Sequence, residues 1–583
     1  MQGLSTDLET HIPSLPRRQF VKGLVASGLA VSTGWPRRAD ARSRERVAQE
    51  VLHGREFALA IGETDVNITG RPRTALTING SLPAPILRWR QGDTVTLRVR
   101  NEMREAETSI HWHGIILPAS MDGVPGLSFD GIAPGNAYRY EFPVKQAGTY
   151  WYHSHSGFQE QVGVYGPLVI DPIEPEPFAY DREHVVMLTD WSDEAPEQIY
   201  RKLKKQSHYY NFRQRTLVDF VRDVRRDGWR ATVAERAAWG QMRMSAADLA
   251  DVSGYTYTYL MNGQPPSANW TGLFTPGERL RLRFINGSGM TYFDVRIPGA
   301  TMTVVAADGL PVRPVRVDEF RIAVAETYDV IVEPAGQEAF TIFAQAMDRT
   351  GFAAGTLATR RGLHAPVPAL DSRPTLTMGD MGHGDHGAHG GHAGHAGHDM
   401  PSPAVQAHPA SEEGNPLVDM QTMTPTPRLD DPGIGLRGNG RRVLTYADLE
   451  STFADPDGRE PGRTIELHLT GHMERFAWSF DGIPFSDAEP LRLTYGERVR
   501  IVLVNDTMMT HPIHLHGMWS DLEDEHGRFR VRKHTIDMPP GTRRSYRVTA
   551  DALGRWAYHC HLLYHMETGM FREVRVDEAG RTS

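Results

Sequence analysis

The sequence predicts an all-β protein of three similar β-sandwich domains, the middle one carrying a helical insert. Three observations predict this. A strand–turn–strand pattern recurs three times at matched spacing. A length of 583 residues is too great for one ordinary core. Gly 56 and Pro 39 suit a turn-rich β chain.

The first copy of the pattern opens on the turn Asn79-Gly80 and ends on the strand Thr94-Val95-Thr96-Leu97-Arg98-Val99-Arg100-Asn101. The second runs from Asn262-Gly263 to Leu280-Arg281-Leu282-Arg283-Phe284-Ile285-Asn286, the third from Asp481-Gly482 to Val499-Arg500-Ile501-Val502-Leu503-Val504-Asn505. Asn-Gly and Asp-Gly favour the tight turns of hairpins, and the runs after them alternate apolar with polar residues. Turn and final Asn are 22, 24 and 24 residues apart, so three related units are expected. Their boundaries fall near 42–172, 173–360 and 436–583. Within the second, residues about 194–250 are charged and helix-like, with Leu217, Phe220, Val221 and Val224 on one helical face. That insert is either a cover over a site or a surface packing element. Residues 361–435 lack periodic apolar residues and predict a flexible linker.

Charged residues at 23% and hydrophobic ones at 40% indicate a globular chain. A net charge of -9 gives no basic field for nucleic acid. No apolar run is long enough to span a membrane. Residues 1–41 combine Arg17-Arg18-Gln19-Phe20-Val21-Lys22, a short apolar run and Ala39-Asp40-Ala41, the layout of a cleavable export signal. The paired arginines resemble a twin-arginine (Tat) signal, which implies the Tat machinery as partner and the periplasm as destination. A basic N-terminus or an anchor is the alternative.

An oxidising compartment favours disulfides, yet Cys560 is the one cysteine and has no internal partner. Its neighbours are histidines. Ten of the 26 histidines fall into four short clusters: His111 and His113; His153 and His155; His511, His514 and His516; His559, His561 and His565. An H-x-H pair on a strand presents both rings on one face. Imidazole suits copper, and a thiolate with two imidazoles and a distant thioether is the blue-copper donor set. Cys560, His511, His565 and Met570 supply those types. The first and third domains share the frame, with Ser154 in the place of Cys560, whereas the middle domain has no such histidines. Chemistry is therefore expected in the outer domains, with the middle one as spacer or support.

The segments HWHG (111–114), HSH (153–155), HPIHLHG (511–517) and HCHLLYHMETGM (559–570) resemble the four copper signatures of multicopper oxidases. The resemblance spans the mature chain. Together with the Tat-like signal and a Met/His tract it points to the CopA/PcoA group of periplasmic copper-resistance oxidases. It implies three cupredoxin-like Greek-key domains and four copper ions. His511, Cys560, His565 and axial Met570 would hold a type 1 copper, and His111 with His514 the type 2 copper. His113, His153 and His561 would hold one type 3 copper, and His155, His516 and His559 the other. Asp122, eleven residues after His111, matches an acidic position beside the trinuclear cluster and would relay protons; the other reading is an Asx-Gly turn. Met566 stands where some relatives have an acidic residue, and Glu567 beside it is expected to point elsewhere. The implied reaction is one-electron oxidation at type 1 copper and reduction of O2 to water at the cluster.

For the reductant, the tract Met378-Gly379-Asp380-Met381-Gly382-His383, then His386, His389, His392, His395 and His398, supplies thioethers and imidazoles. It is either a weak site for additional copper or a low-complexity linker. Cu(I) is the expected substrate, with periplasmic copper-handling proteins as partners. Two alternatives stay open: laccase-like oxidation of phenols, and copper sequestration without important turnover.

Overall fold

The computed structural model describes residues 49–212, 214–382 and 405–580. The export signal at 1–41 and His383–His398 of the Met/His tract lie outside the described residues. Six sheets form three pairs of β layers, and the second and third pairs have the same strand order. In each domain the first long strand pairs in parallel with the strand that ends on the repeated asparagine: Glu56–Asn67 with Thr94–Asn101, Arg182–Ser192 with Leu280–Asn286, and Arg463–His472 with Arg498–Asn505.

Local chemistry explains why the turn and the asparagine recur. Asn79, Asn262 and Asp481 each take φ near +50°, followed by Gly80, Gly263 and Gly482 at φ near +70°, the left-handed pair that a tight hairpin turn demands. Their side-chain oxygens accept from the backbone of the domain's first strand, at Ala60, Met187 and His468. The terminal asparagines do one job three times. Asn101 donates to Ala106 O and Ile132 O, Asn286 to Thr291 O and Ile322 O, and Asn505 to Met509 O and Met538 O. Each thereby satisfies carbonyls of a buried corner that would otherwise lack partners. In the outer domains that corner leads into the first histidine strand.

The insert folds as three helices, α1 (Pro196–Lys205), α2 (Leu217–Asp227) and α3 (Trp229–Gln241). The apolar stripe on α2 does not face a core. Leu217 is 78% exposed and Val221 44%, while the buried residue of α2 is Asp223, paired with Arg215 and Arg236. Charge pairing outweighs the stripe in setting this helix's orientation. The described parts of 361–435 also differ from a flexible linker. They hold no strand and no helix beyond one 3-10 turn of helix at Ala410–Glu412, yet they bury Leu376, Met381, Met420 and Thr422 against the body. Isolated apolar anchors without a period hold a strap that a periodicity reading takes for a free chain.

The first and middle domains meet through ions. Arg88 pairs with Glu183, which also pairs with Arg283, and Arg283 donates to Thr149 Oγ1 at 2.8 Å. Among the described residues no helix is long and apolar enough to cross a membrane.

A candidate multinuclear metal centre

The histidine strands bring the predicted residues together at the boundary of the first and third domains. His111–His113 pairs with Gly148–His153, and His511–Leu515 with Gly554–Cys560, in register His514 to His559 and Ile513 to Cys560. His111 and His113 share one strand, whereas His155, His516 and His561 lie just beyond strand ends. Alternation still assigns the faces. Cys560 faces away from His559 and His561, and His511, three residues before His514, faces away from it. One side of the third domain's sheet thus receives His511 and Cys560, the other the histidine cluster.

Four groupings result, each with its donor atoms within 4.8 Å of one another: His111, His113 and His514; His113, His153 and His561; His155, His516 and His559; and His511, Cys560 and His565. All eleven residues are buried or nearly so, down to 0% exposure for Cys560 and His565. Burial, then the neighbouring imidazoles, holds His113, His153, His155, His514, His516 and His561 well below the ordinary histidine value, and His559 at about 3. Neutral imidazoles are the form that binds metal. Burial pushes the Cys560 thiol up, so a thiolate there requires a cation beside it.

The outer hydrogen bonds leave the inner nitrogens bare. Nδ1 of His111 donates to Asp122 O at 2.9 Å, that of His514 to His534 O at 2.6 Å, that of His516 to Asp122 Oδ2 at 2.8 Å and that of His559 to Cys560 O at 2.9 Å. His153 Nδ1 lies 2.7 Å from Glu160 Oε2. The Nε2 atoms of His111, His153, His155, His514 and His561 are buried with no hydrogen-bond partner among the described residues. His113 is reversed: its Nε2 faces His534 Nδ1 at 3.1 Å and Thr535 Oγ1 at 3.3 Å, and its Nδ1 is the bare atom. His516 Nε2 and His559 Nε2 face each other at 3.1 Å, two lone pairs with no proton between them. The same holds at the fourth grouping. His511 Nδ1 and His565 Nδ1 are 3.1 Å apart, with Cys560 Sγ at 3.5 and 3.9 Å from them. Their far nitrogens are occupied by Thr507 Oγ1 at 2.7 Å and Asp251 Oδ2 at 2.6 Å. Converging lone pairs backed by fixed outer partners suit metal cations and little else. Met570 is buried beside this grouping, its carbonyl accepting from Cys560 N at 3.1 Å.

Models of the multicopper oxidase family match residues 60–175, 182–362 and 458–580. A copper resistance protein A homolog of Pseudomonas syringae pv. tomato is 69% identical, over 96% of this chain and 99% of that one. The chain belongs to the multicopper oxidase family. The copper resistance protein A of Escherichia coli is 66% identical with the same coverage, 96% and 99%. Among solved structures, Fet3p, a multicopper oxidase that functions in iron import, aligns with a TM-score of 0.62 at 20% identity over 91% of each chain, a likeness of fold. The all-β, three-domain architecture is therefore that of a multicopper oxidase, an oxidoreductase that works with copper.

The structure places Asp122 behind the rings. It joins His111 of the first domain to His516 of the third, its Oδ1 3.2 Å from His111 Nδ1. Other supports carry no sequence signature. Asp251 reaches His565 from the middle domain, and Glu160 backs His153. His534 backs His113 and is itself held by Asp308, whose Oδ2 accepts from His534 N at 3.1 Å and Thr535 N at 3.2 Å. The middle domain thus contributes outer partners to both metal regions. A glycine follows two of the four H-x-H pairs, His111–His113 and His514–His516, for a steric reason. Gly114 has φ +79° and a Cβ there would lie 2.5 Å from the His534 ring; Gly517 has φ +71° and a Cβ would lie 2.3 Å from Trp556.

Proposed function

We propose that this multicopper oxidase is a periplasmic cuprous oxidase of copper resistance, exported by the Tat pathway. In this reading His511, Cys560, His565 and Met570 hold the type 1 copper, and His111 and His514 the type 2 copper. His113, His153 and His561 hold one type 3 copper, and His155, His516 and His559 the other. Copper bound in these sites supplies one-electron oxidation at one end and four-electron reduction of O2 to two waters at the other. With Cu(I) as reductant the balance is four Cu(I), one O2 and four protons giving four Cu(II) and two waters.

The observation that carries the reading is the position of Cys560. Its sulfur lies with His511 and His565 on one face, while the adjoining His559 and His561 lie in the cluster on the other. A short covalent path, one peptide unit to either histidine, therefore joins the two regions. Asp122 and Glu160 hold imidazoles in the orientation that points their bare nitrogens inward, and they are the carboxylates nearest the cluster for supplying protons. A cleft of about 630 Å³ between all three domains reaches His155, past Phe158, Trp191 and Arg555, and gives O2 and water a way in.

Small size of the reductant follows from what surrounds His565. Trp478 stacks on its ring at 4.1 Å, Asp251 covers its far nitrogen, and α1 closes over the neighbourhood: Lys204 Nζ donates to Phe476 O at 2.8 Å and Tyr200 stacks on Tyr564. Met242 and Met244 of the insert are partly buried against the core. Bulky phenols have little room there. The high identity to copper resistance proteins supports copper as the substrate, and the Met/His tract supplies ligand types for it. The test is O2 uptake by the copper-loaded protein on Cu(I) and on a phenol, with and without residues 383–400. Faster uptake on Cu(I), reduced by the deletion, supports the reading. Equal or faster uptake on the phenol favours the laccase-like alternative, and extra bound copper without steady uptake favours sequestration.

A further inference from the structure

A second constellation of metal-binding side chains lies apart from the twelve residues above. His408 and Glu412 belong to the strap that follows the Met/His tract, His468 lies on the strand Arg463–His472 of the third domain, and Asp506 directly follows the neighbouring strand Arg498–Asn505. Their donor atoms lie within 4.8 Å of one another. His408 Nδ1 is 3.2 Å from Glu412 Oε2 and 3.3 Å from Asp506 Oδ2, and His468 Nδ1 is 2.6 Å from Asp506 Oδ2 and 3.6 Å from Glu412 Oε1.

Both nitrogens of each ring are engaged. His408 Nε2 donates to Thr422 O at 3.0 Å and His468 Nε2 to Glu466 Oε1 at 3.3 Å, which turns both Nδ1 atoms toward the centre, where that of His408 bonds Glu412 Oε2 at 3.2 Å and that of His468 bonds Asp506 Oδ2 at 2.6 Å. Asp506 Oδ1 accepts from Thr422 N at 2.7 Å, and Glu412 Oε2 from Gln421 Nε2 at 3.0 Å. Glu412 Oε1 is left buried with no hydrogen-bond partner among the described residues, on a side chain with 0% exposure. Two imidazoles whose Nδ1 protons a cation would replace, two carboxylates and one bare buried oxygen make an N2O2 set, of the kind that tetrahedral divalent ions take. His408 retains 12% exposure, which leaves an entry path from solvent.

We propose that His408, Glu412, His468 and Asp506 form an additional site for a divalent ion of Zn(II) or Cu(II) type. An ion there ties the strap to the third domain. It also braces the turn in which Thr507 follows Asp506 and bonds His511 Nε2 at 2.7 Å. Two carboxylates and no thioether favour a divalent ion over Cu(I), so this site differs in kind from one built of methionines.

The test uses the full-length, copper-loaded protein beside two variants, His408→Gln and Glu412→Gln. Each is titrated with Zn(II) or, in a second arm, Cu(II), freed of excess ion by gel filtration, and analysed for metal; melting is followed with and without ion. The histidines of the tract are present in all three proteins, so they cancel in the difference. The wild type is expected to retain one equivalent more than either variant, and its Tm to rise with the ion while theirs does not. The arm in which the difference occurs identifies the ion. Equal retention and equal melting shifts in wild type and variants, in both arms, would overturn the site. Circular dichroism checks folding, and if the fully covered position 412 does not tolerate the change, the partly exposed position 408 decides.

Discussion

Asp251 Oδ2 accepts a hydrogen bond from His565 Nε2 at 2.6 Å, so a carboxylate of the middle domain orients a ring whose other nitrogen faces Cys560 and His511. Both side chains are almost fully covered, at 0% and 1% exposure. Burial pushes the Asp251 carboxyl up to about 7, so above that pH it is an anion that makes the imidazole a stronger donor and lowers the reduction potential of metal bound to it. Asp251→Asn keeps a hydrogen-bond acceptor but removes the charge, so the type 1 potential is expected to rise in a redox titration. Asp251→Ala also frees the ring and is expected to lower Cu(I) turnover about 10- to 100-fold. An unchanged potential and turnover in both would show that the contact only fills space.

Asp122 ties His111 to His516 across the domain boundary. Its replacement by Ala is expected to lower O2 reduction about 10- to 100-fold and to weaken the type 2 EPR signal. The blue band, which depends on Cys560 at the other face, should persist. Loss of both signals together would mean that Asp122 holds the domains rather than the rings.

Gly517→Ala places a methyl group 2.3 Å from Trp556 on a backbone at φ +71°. Trp556 is fully buried and cannot retreat. The variant is expected to lose roughly 1–3 kcal/mol of stability, measured by denaturant unfolding of the copper-free protein. The adjoining His516 should also lose its register with Asp122, visible as lower copper retention.

Stability should depend on pH through Glu183. Burial raises its carboxyl, but Arg283 and Arg88 outweigh burial and hold it at about 2, against an ordinary 4.5. The folded value is the lower one, so the stabilisation is complete above about pH 4.5 and disappears as pH falls through about 2. The shift corresponds to about 3 kcal/mol. Glu183→Gln is therefore expected to melt well below the wild type at pH 6, with the gap narrowing between pH 4.5 and 2. A gap that does not vary with pH would assign the loss to packing.

What the sequence reveals here depends on how locally each feature is determined. The Asn-Gly turns and the terminal asparagines are legible because their chemistry is satisfied within one domain frame that recurs three times. The metal-site histidines are legible because four pairs stand two residues apart and one pair, His559 and His561, flanks the lone thiol. Asp251 is not: it acts 314 residues from His565, and its one sequence mark is an acid between Leu249 and Val252. Glu160, His534 and the His408–Glu412–His468–Asp506 constellation are hidden for the same reason, since tertiary packing alone brings their partners near. The α2 stripe shows the opposite failure. Its period is readable at Leu217 and Val221, but whether a face meets a core depends on Asp223 and its arginines, which periodicity ignores.

The central claim is that Cys560 is the thiolate through which electrons enter. It is tested most directly by loading wild type and Cys560→Ser with copper and recording metal content, visible and EPR spectra and O2 uptake. An intense blue band is expected in the wild type. Cys560→Ser is expected to lack this band, retain a type 2 EPR signal and take up no O2 on Cu(I). A copper-loaded wild type without the band, or a Cys560→Ser protein that keeps it, would rule out Cys560 as the type 1 thiolate.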